Sequence, residues 1–185
     1  MENEVMECNA STKREAPNVL VTGTPGVGKS TLCKKLSELT GMQWLEISKV
    51  AKDNNCLEEY DQVYQCPVLD EDKLLDGLEE TMNRGGNIVD YHSCEFFPER
   101  WFDAVFVLRT DNTTLYDRLT GRGYSGKKLE DNIDCEIFQV ILDEANNSYK
   151  QDIVQELTSV SSEDLQKNIE TICLWLQQWF QNSGA

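Results

Sequence analysis

The chain has 185 residues, 39% apolar and 27% charged, a composition that fits one globular domain and excludes disordered or collagen-like classes. Seventeen Lys and Arg against 33 Asp and Glu leave a net charge of −16. Such a surface repels phosphate backbones, so no direct nucleic-acid patch is expected, whereas a basic protein is a fitting partner.

The first residues are acidic and lead into no apolar stretch, so no secretory signal is expected. Residues 1–16 read as a flexible acidic tail ahead of a single domain over residues 17–182. Asn18 to Thr22 is a short apolar run that stops at a Gly/Pro-rich stretch, as a buried parallel strand would. Leu32, Leu36 and Leu39 then recur at helical spacing until Gly41. Gln43 to Ile47 reads as a second strand. Leu74, Leu75, Leu78 and Met82 mark a helix behind the cap residue Asp70, closed by Gly85 and Gly86. Strands follow at Asn87–Asp90 and Ala104–Leu108. Helical periodicity returns at Leu115 and Leu119, then through Ile133, Ile137, Ile141 and Ala145. A last helix starts near Ser161 or Ser162 and carries Leu165, Ile169, Ile172 and Leu176 on one face; Trp175, Trp179 and Phe180 on it read as core packing.

This alternation predicts an α/β fold, a parallel sheet flanked by helices, with ligands at the carboxyl ends of the strands. Residues 48–69 and 121–131 lack clear periodicity and are the expected mobile segments over such a site. No apolar run is long enough for a membrane helix. The seven cysteines are odd in number, form no C-x-x-C and accompany a single histidine, which fits buried free thiols rather than a zinc site or disulfide scaffold.

Gly23-Thr-Pro-Gly26-Val-Gly28-Lys29-Ser30 matches the phosphate-binding loop G-x-x-x-x-G-K-[ST], after a strand and before a helix. The glycines let successive N–H groups face one concavity, and the helix N-terminus adds partial positive charge. Lys29 is expected to reach the β- and γ-phosphates of ATP, and the Ser30 hydroxyl to hold Mg²⁺. Asp90 ends an apolar strand where P-loop proteins keep their Mg²⁺-associated aspartate; capping of the next turn is its other reading. His92, two residues on, shares a side with Asp90 if the strand persists, and either orients a water or hydroxyl or serves the structure. Arg118, Arg122, Lys127 and Lys128 cluster among Gly121, Gly123 and Gly126, which reads as a basic lid over a nucleotide or as a solvated loop.

Further runs add specificity: Cys66-Pro-Val-Leu-Asp-Glu-Asp72, Ile88-Val-Asp-Tyr-His92, Phe96-Phe-Pro-Glu-Arg-Trp101, Leu108-Arg-Thr110, Arg122-Gly-Tyr124 and Cys135-Glu-Ile-Phe-Gln139. With these, the sequence from about Asn18 to Trp179 resembles the adenylate kinase 6 family, also described as nuclear coilin-interacting ATPases and Fap7-type ribosome-assembly factors. The resemblance implies a P-loop nucleoside-monophosphate-kinase-like sheet with a monophosphate-binding region near residues 46–69 and a lid near 121–131. It places ATP on Gly26, Gly28, Lys29, Ser30, Thr31 and Arg122, and Mg²⁺ on Ser30 and Asp90, partly through water. It links Asp90 and His92 to ATP hydrolysis, and counts Lys29, Asp90, His92 and Arg122 as catalytic. It further implies broad monophosphate kinase activity, ATPase activity, a role in small-subunit rRNA maturation with a basic small-subunit ribosomal protein and the pre-ribosome, and residence in nucleus and cytoplasm.

Two positions depart from the common adenylate kinase pattern. Lys52 stands where a monophosphate-binding arginine is expected, keeping the charge but losing the bidentate fork. Gln139 stands where a lid arginine would face the transferring phosphoryl group, which predicts a slower kinase. Three readings follow: a kinase moving the γ-phosphate of MgATP to AMP, dAMP or CMP; an assembly ATPase controlling release of a ribosomal protein; and a P-loop kinase for another small metabolite.

Overall fold

The computed structural model describes residues 14–62 and 66–184; residues 1–13 of the expected tail, with Cys8, lie outside them, as do residues 63–65 of the expected monophosphate-binding region. In chain order, β1 (Val19–Thr22) leads through the glycine-rich loop into α1 (Lys29–Thr40), and β2 (Gln43–Glu46) runs directly into α2 (Ile47–Asp53). An antiparallel hairpin of β3 (Leu57–Asp61) and β4 (Cys66–Leu69) precedes α3 (Glu71–Arg84) and β5 (Asn87–Asp90). A 3₁₀ turn at Glu99–Trp101 is followed by β6 (Ala104–Arg109), α4 (Asn112–Gly121), α5 (Gly126–Ile137), α6 (Val140–Ser148), β7 (Val154–Thr158) and α7 (Ser162–Ser183). The five-stranded sheet has the order β2-β5-β1-β6-β7 and is parallel throughout. Every carboxyl end therefore meets one edge, and the register sets Asp90 beside Val21 on one side and Glu46 on the other.

The period-two alternation of the strands divides the core. Leu20, Val89, Val105 and Val107 face a cluster with Leu74, Leu78 and Met82 of α3 and Ile141 and Ala145 of α6. Val19, Val21, Ile88, Phe106 and Leu108 face the other cluster, closed by α1, α4 and the Ile169, Ile172 and Leu176 face of α7. Trp175 packs edge-on to Phe106, whereas Phe180 is exposed, so the expectation of core packing holds for the first of these rings alone. Helix ends follow local chemistry: Gly41 takes φ +72° at the C-cap of α1, Asp70 accepts from Lys73 N, and Ser161 closes a capping box with Asp164.

Several elements differ from the periodicity. The run Ile133, Ile137, Ile141, Ala145 reads as one helix but forms two, broken at Gln139 with φ +57°. The division is forced by packing: Ile133 packs against the α1/α4/α7 cluster, while Ile141 and Ala145 belong to the α3 cluster. Strand β7 gives no apolar signal, since it is an edge strand with only Leu157 buried. Residues 48–69 hold most of α2 and the hairpin, and α5 begins at Gly126 inside the stretch read as aperiodic. Residues 14–16, assigned to a loose tail, are instead held: Arg14 pairs with Asp103 at 2.9 Å and donates to the Arg100 carbonyl at 3.0 Å.

The amino-terminal edge of the sheet is pinned by one buried amide. Asn18 Nδ2 donates to the carbonyls of Met82 and Trp101 at 2.7 and 3.0 Å, and its Oδ1 accepts from Asn87 N and Nδ2 at 3.1 and 2.8 Å. Asn18→Ala removes all four hydrogen bonds; Asn87 Nδ2 keeps the Thr81 carbonyl at 3.0 Å, while Asn87 N and the Met82 and Trp101 carbonyls lose the Asn18 side chain. The substitution should lower unfolding stability by about 2–3 kcal/mol, read as a lower urea midpoint with unchanged slope.

Candidate functional site

The loop after β1 needs its glycines. Gly23 has φ +140°, and a Cβ there would lie 2.6 Å from the Leu108 carbonyl oxygen on the neighbouring strand. Gly28 caps α1 at φ +102° with no side-chain acceptor, which leaves the first helical N–H groups open to an anion. Lys29 is 9% exposed, and its Nζ donates to the carbonyls of Gly23 and Thr24 at 2.7 and 3.1 Å. Burial pushes its pKa down to about 8, against the opposing pull of Asp90. The ammonium is thus desolvated and held by dipoles.

Asp90 is 4% exposed and accepts from Ser30 Oγ at 2.8 Å and Trp44 Nε1 at 3.2 Å. Burial raises its pKa, opposed by the Ser30 hydrogen bond and the Lys29 charge. His92 stands at the cleft wall, its ring 4.3 Å from that of Tyr91. Surrounding protein and the Lys29 charge push its pKa down to about 4. The ring also reaches solvent, and the imidazole is neutral at pH 7.

These groups share one cleft of about 710 Å³, within the range of small-molecule sites. Gly26, Gly28, Lys29, Ser30 and Thr31 line its floor, and Asp90, His92 and Arg122 also line it. Ser48, Ala51, Leu57 and Leu69 flank one side, and Tyr124, Lys128 and Asn132 the other, so both stretches without periodicity border the site. Lys52 is the expected residue that does not join them. It is exposed on α2 and absent from the cleft lining, one helical position past Ala51, whose side chain is buried and lines it. Gln139 caps α6 and does not line the cleft either.

The basic cluster divides by role. Arg118 donates to the carbonyls of Ser159 and Val160 at 3.0 and 2.9 Å, fastening α4 to the loop before α7. Lys127 pairs with Asp131, Lys128 lies 4.5 Å from the Tyr124 ring centre, and Arg122 lines the cleft. A second recess of about 390 Å³ shares Gly26, Gly28, Thr31 and Arg122 and extends to Ser159 and Leu165.

Sequence reasoning missed two supports of this site. One is Trp44, whose indole holds Asp90. The other is Glu136, 2% exposed, which accepts from Thr24 Oγ1 at 2.6 Å, Arg109 Nε at 2.7 Å and Thr110 N at 3.0 Å. The runs Leu108-Arg-Thr110 and Cys135-Glu-Ile-Phe-Gln139 held the signal, since an acid inside an apolar helical run needs buried donors.

The Lys29 environment sets a pH dependence for nucleotide binding. In the free protein the amine loses its proton as pH rises through about 8, while an anion requires the protonated form. Affinity for MgATP, measured by calorimetry, should be flat below pH 7 and weaken above about 8, by up to about tenfold per pH unit. Lys29→Arg, which keeps its charge, should remove that pH dependence.

Residues 19–139 match the AAA domain family. An adenylate kinase isoenzyme 6 homolog of Drosophila melanogaster is 55% identical over 163 residues, covering 88% of this chain and 93% of that protein. The adenylate kinase isoenzyme 6 homolog FAP7 of Saccharomyces cerevisiae is 46% identical over 170 residues, covering 91% and 86%. Among solved structures, shikimate kinase from Acinetobacter baumannii superposes with a TM-score of 0.59 at 14% identity, covering 88% of this chain and 94% of that one, a likeness of fold. The P-loop, the parallel sheet and the extent of these matches agree, and the chain belongs to the adenylate kinase isoenzyme 6 family, with the fold of a P-loop kinase.

Proposed function

We propose that the protein transfers the γ-phosphoryl group of MgATP to AMP or a related monophosphate such as dAMP or CMP, and hydrolyses ATP when water takes the acceptor's place. The observation that carries this reading is the continuity of the cleft. The same cavity that bares Lys29 and the helix N-terminus extends past Asp90 and His92 between α2, the hairpin and the lid, room for an acceptor beside the phosphates. Phosphoryl transfer demands positioning and charge neutralisation more than covalent chemistry. Lys29 supplies a desolvated cation at the β- and γ-phosphates, Gly26, Gly28 and Thr31 cradle the phosphate chain, and Arg122 brings a second cation from the lid.

Ser30 and Asp90 form an oxygen-only donor pair, and no group of three ionisable ligands occurs among the described residues. That suits Mg²⁺, which prefers a few protein oxygens, phosphate oxygens and water. When bound there, the ion would neutralise charge on the phosphates. His92, neutral at pH 7, can accept a hydrogen bond from water and orient it, whereas a monophosphate oxygen is already deprotonated and needs no base.

A second reading makes hydrolysis primary, as an assembly ATPase that controls release of a basic small-subunit ribosomal protein on the pre-ribosome, in nucleus and cytoplasm. Lys52 lies outside the cleft and Gln139 carries no charge, which favours it, because neither position offers a monophosphate the cation expected there. The net charge of −16 supports a basic partner.

Product analysis separates the two. Purified protein is given MgATP with and without AMP, CMP or dAMP, and nucleotides and free phosphate are measured in the same samples. AMP converting to ADP faster than phosphate appears supports transfer; phosphate release that AMP barely alters supports the second reading. Lys29→Ala should abolish both. His92→Gly should cut phosphate release by at least about tenfold while transfer to AMP falls less.

A further inference from the structure

We infer that Glu136 is a positioning residue that joins the lid helix to the phosphate-binding loop and sets the place of Lys29 through Thr24. Its carboxylate takes donors from three elements: Thr24 Oγ1 in the loop, Arg109 Nε at the end of β6 and Thr110 N ahead of α4. Arg109 Nη2 also donates to the Glu136 carbonyl at 2.9 Å, so both the backbone and the side chain of this residue are fixed. A carboxylate buried to this degree is tolerated only because its oxygens are paired and hydrogen-bonded.

The position gives the network its leverage. Thr24 presents its hydroxyl to Glu136 and its carbonyl to Lys29 Nζ, so a displacement of Thr24 shifts one of the two acceptors that hold the ammonium, and the other belongs to the preceding residue, Gly23. On the lid side, Glu136 lies in the last turn of α5, while Lys128, Asp131 and Asn132 of the same helix reach the cleft. The carboxyl end of α5 is thereby fastened to the sheet, while Leu129 and Ile133 pack on the core and Lys128, near the amino end, lines the cleft. The left-handed Gln139 ends this anchor, since the chain must turn there to send α6 to the opposite face of the sheet.

The test uses Glu136→Gln, which keeps size and shape and removes the charge, Thr24→Val, which removes only the hydroxyl tether, and the double variant. Amide exchange of the nucleotide-free protein is the first readout. Both single variants should accelerate exchange in residues 23–28 and 132–138 by at least about tenfold, with α3 and α7 unchanged. Kinetics with MgATP form the second: kcat should fall at least about tenfold with KM for ATP nearly constant, and the double variant should lose no more than the worse single one. Unchanged exchange, acceleration spread uniformly through α3 and α7, or losses that add in the double variant would overturn the inference. The kinetic arm rests on the proposed turnover. If wild-type protein uses neither AMP nor water as acceptor, the proposed function falls while amide exchange still decides the role of Glu136. Should Glu136→Gln fail to fold, Thr24→Val alone must reproduce the local exchange.

Discussion

A cation taken out of water at the carboxyl edge of a parallel sheet is the constraint around which the molecule is arranged. Lys29 gives up solvent for two loop carbonyls and the field of a buried aspartate, and its pKa falls to about 8. The stabilisation that burial takes from the ammonium is what an incoming polyphosphate can supply, so the same desolvation strengthens its attraction for an anion. Everything near it maintains this condition. Gly23 lets the loop pass under the Leu108 carbonyl, Gly28 opens the helix end, Ser30 and Trp44 keep Asp90 aimed, and Glu136 fixes Thr24 from behind.

The rest of the fold follows from putting that edge in place. Because all five strands run parallel, loop, aspartate and lid meet on one side, while the Asn18 and Asn87 amides tie the opposite edge. Helices α1, α4 and α7 cover one face and α3 and α6 the other, so the chain must cross the sheet edge between α5 and α6. It crosses beside the site, which puts the lid helix and the anchor at Glu136 at a junction that packing already requires. Under the proposed function, a γ-phosphoryl group in this setting has two competing acceptors. The neutral His92 can orient water, and a monophosphate meets Ala51, Leu57 and Leu69 beside Glu46 and Ser48, with no cation among them. Modest transfer and real hydrolysis are then consequences of one geometry.

Much of this was legible in the sequence because the features that carry it are local. A strand, a glycine-rich loop and a helix in succession have one phosphate-cradling solution, and Asn87–Asp90 ends its apolar run at the carboxylate. What stayed hidden depends on contacts far apart in the chain. Strand β7 buries a single side chain at the sheet edge, so its pairing with β6 leaves no apolar pattern. The break at Gln139 answers to which core each flanking helix joins, which periodicity within one segment does not encode. The common adenylate kinase pattern sets a monophosphate-binding residue at Lys52, but about a hundred degrees of helix separates it from Ala51, and that rotation sets it outside the cleft. Glu136 meets Thr24, 112 residues away, and only the folded sheet brings them together.

The most direct test of a two-nucleotide cleft is titration calorimetry with a bisubstrate analogue, two adenosines joined by five phosphates. Occupation of both halves requires one analogue per chain, binding tighter than ATP, displacement by either ATP or AMP, and loss of binding in Lys29→Ala. An analogue that binds no more tightly than ATP and is indifferent to AMP would contradict it, leaving a cleft that holds one nucleotide and passes its phosphoryl group to water.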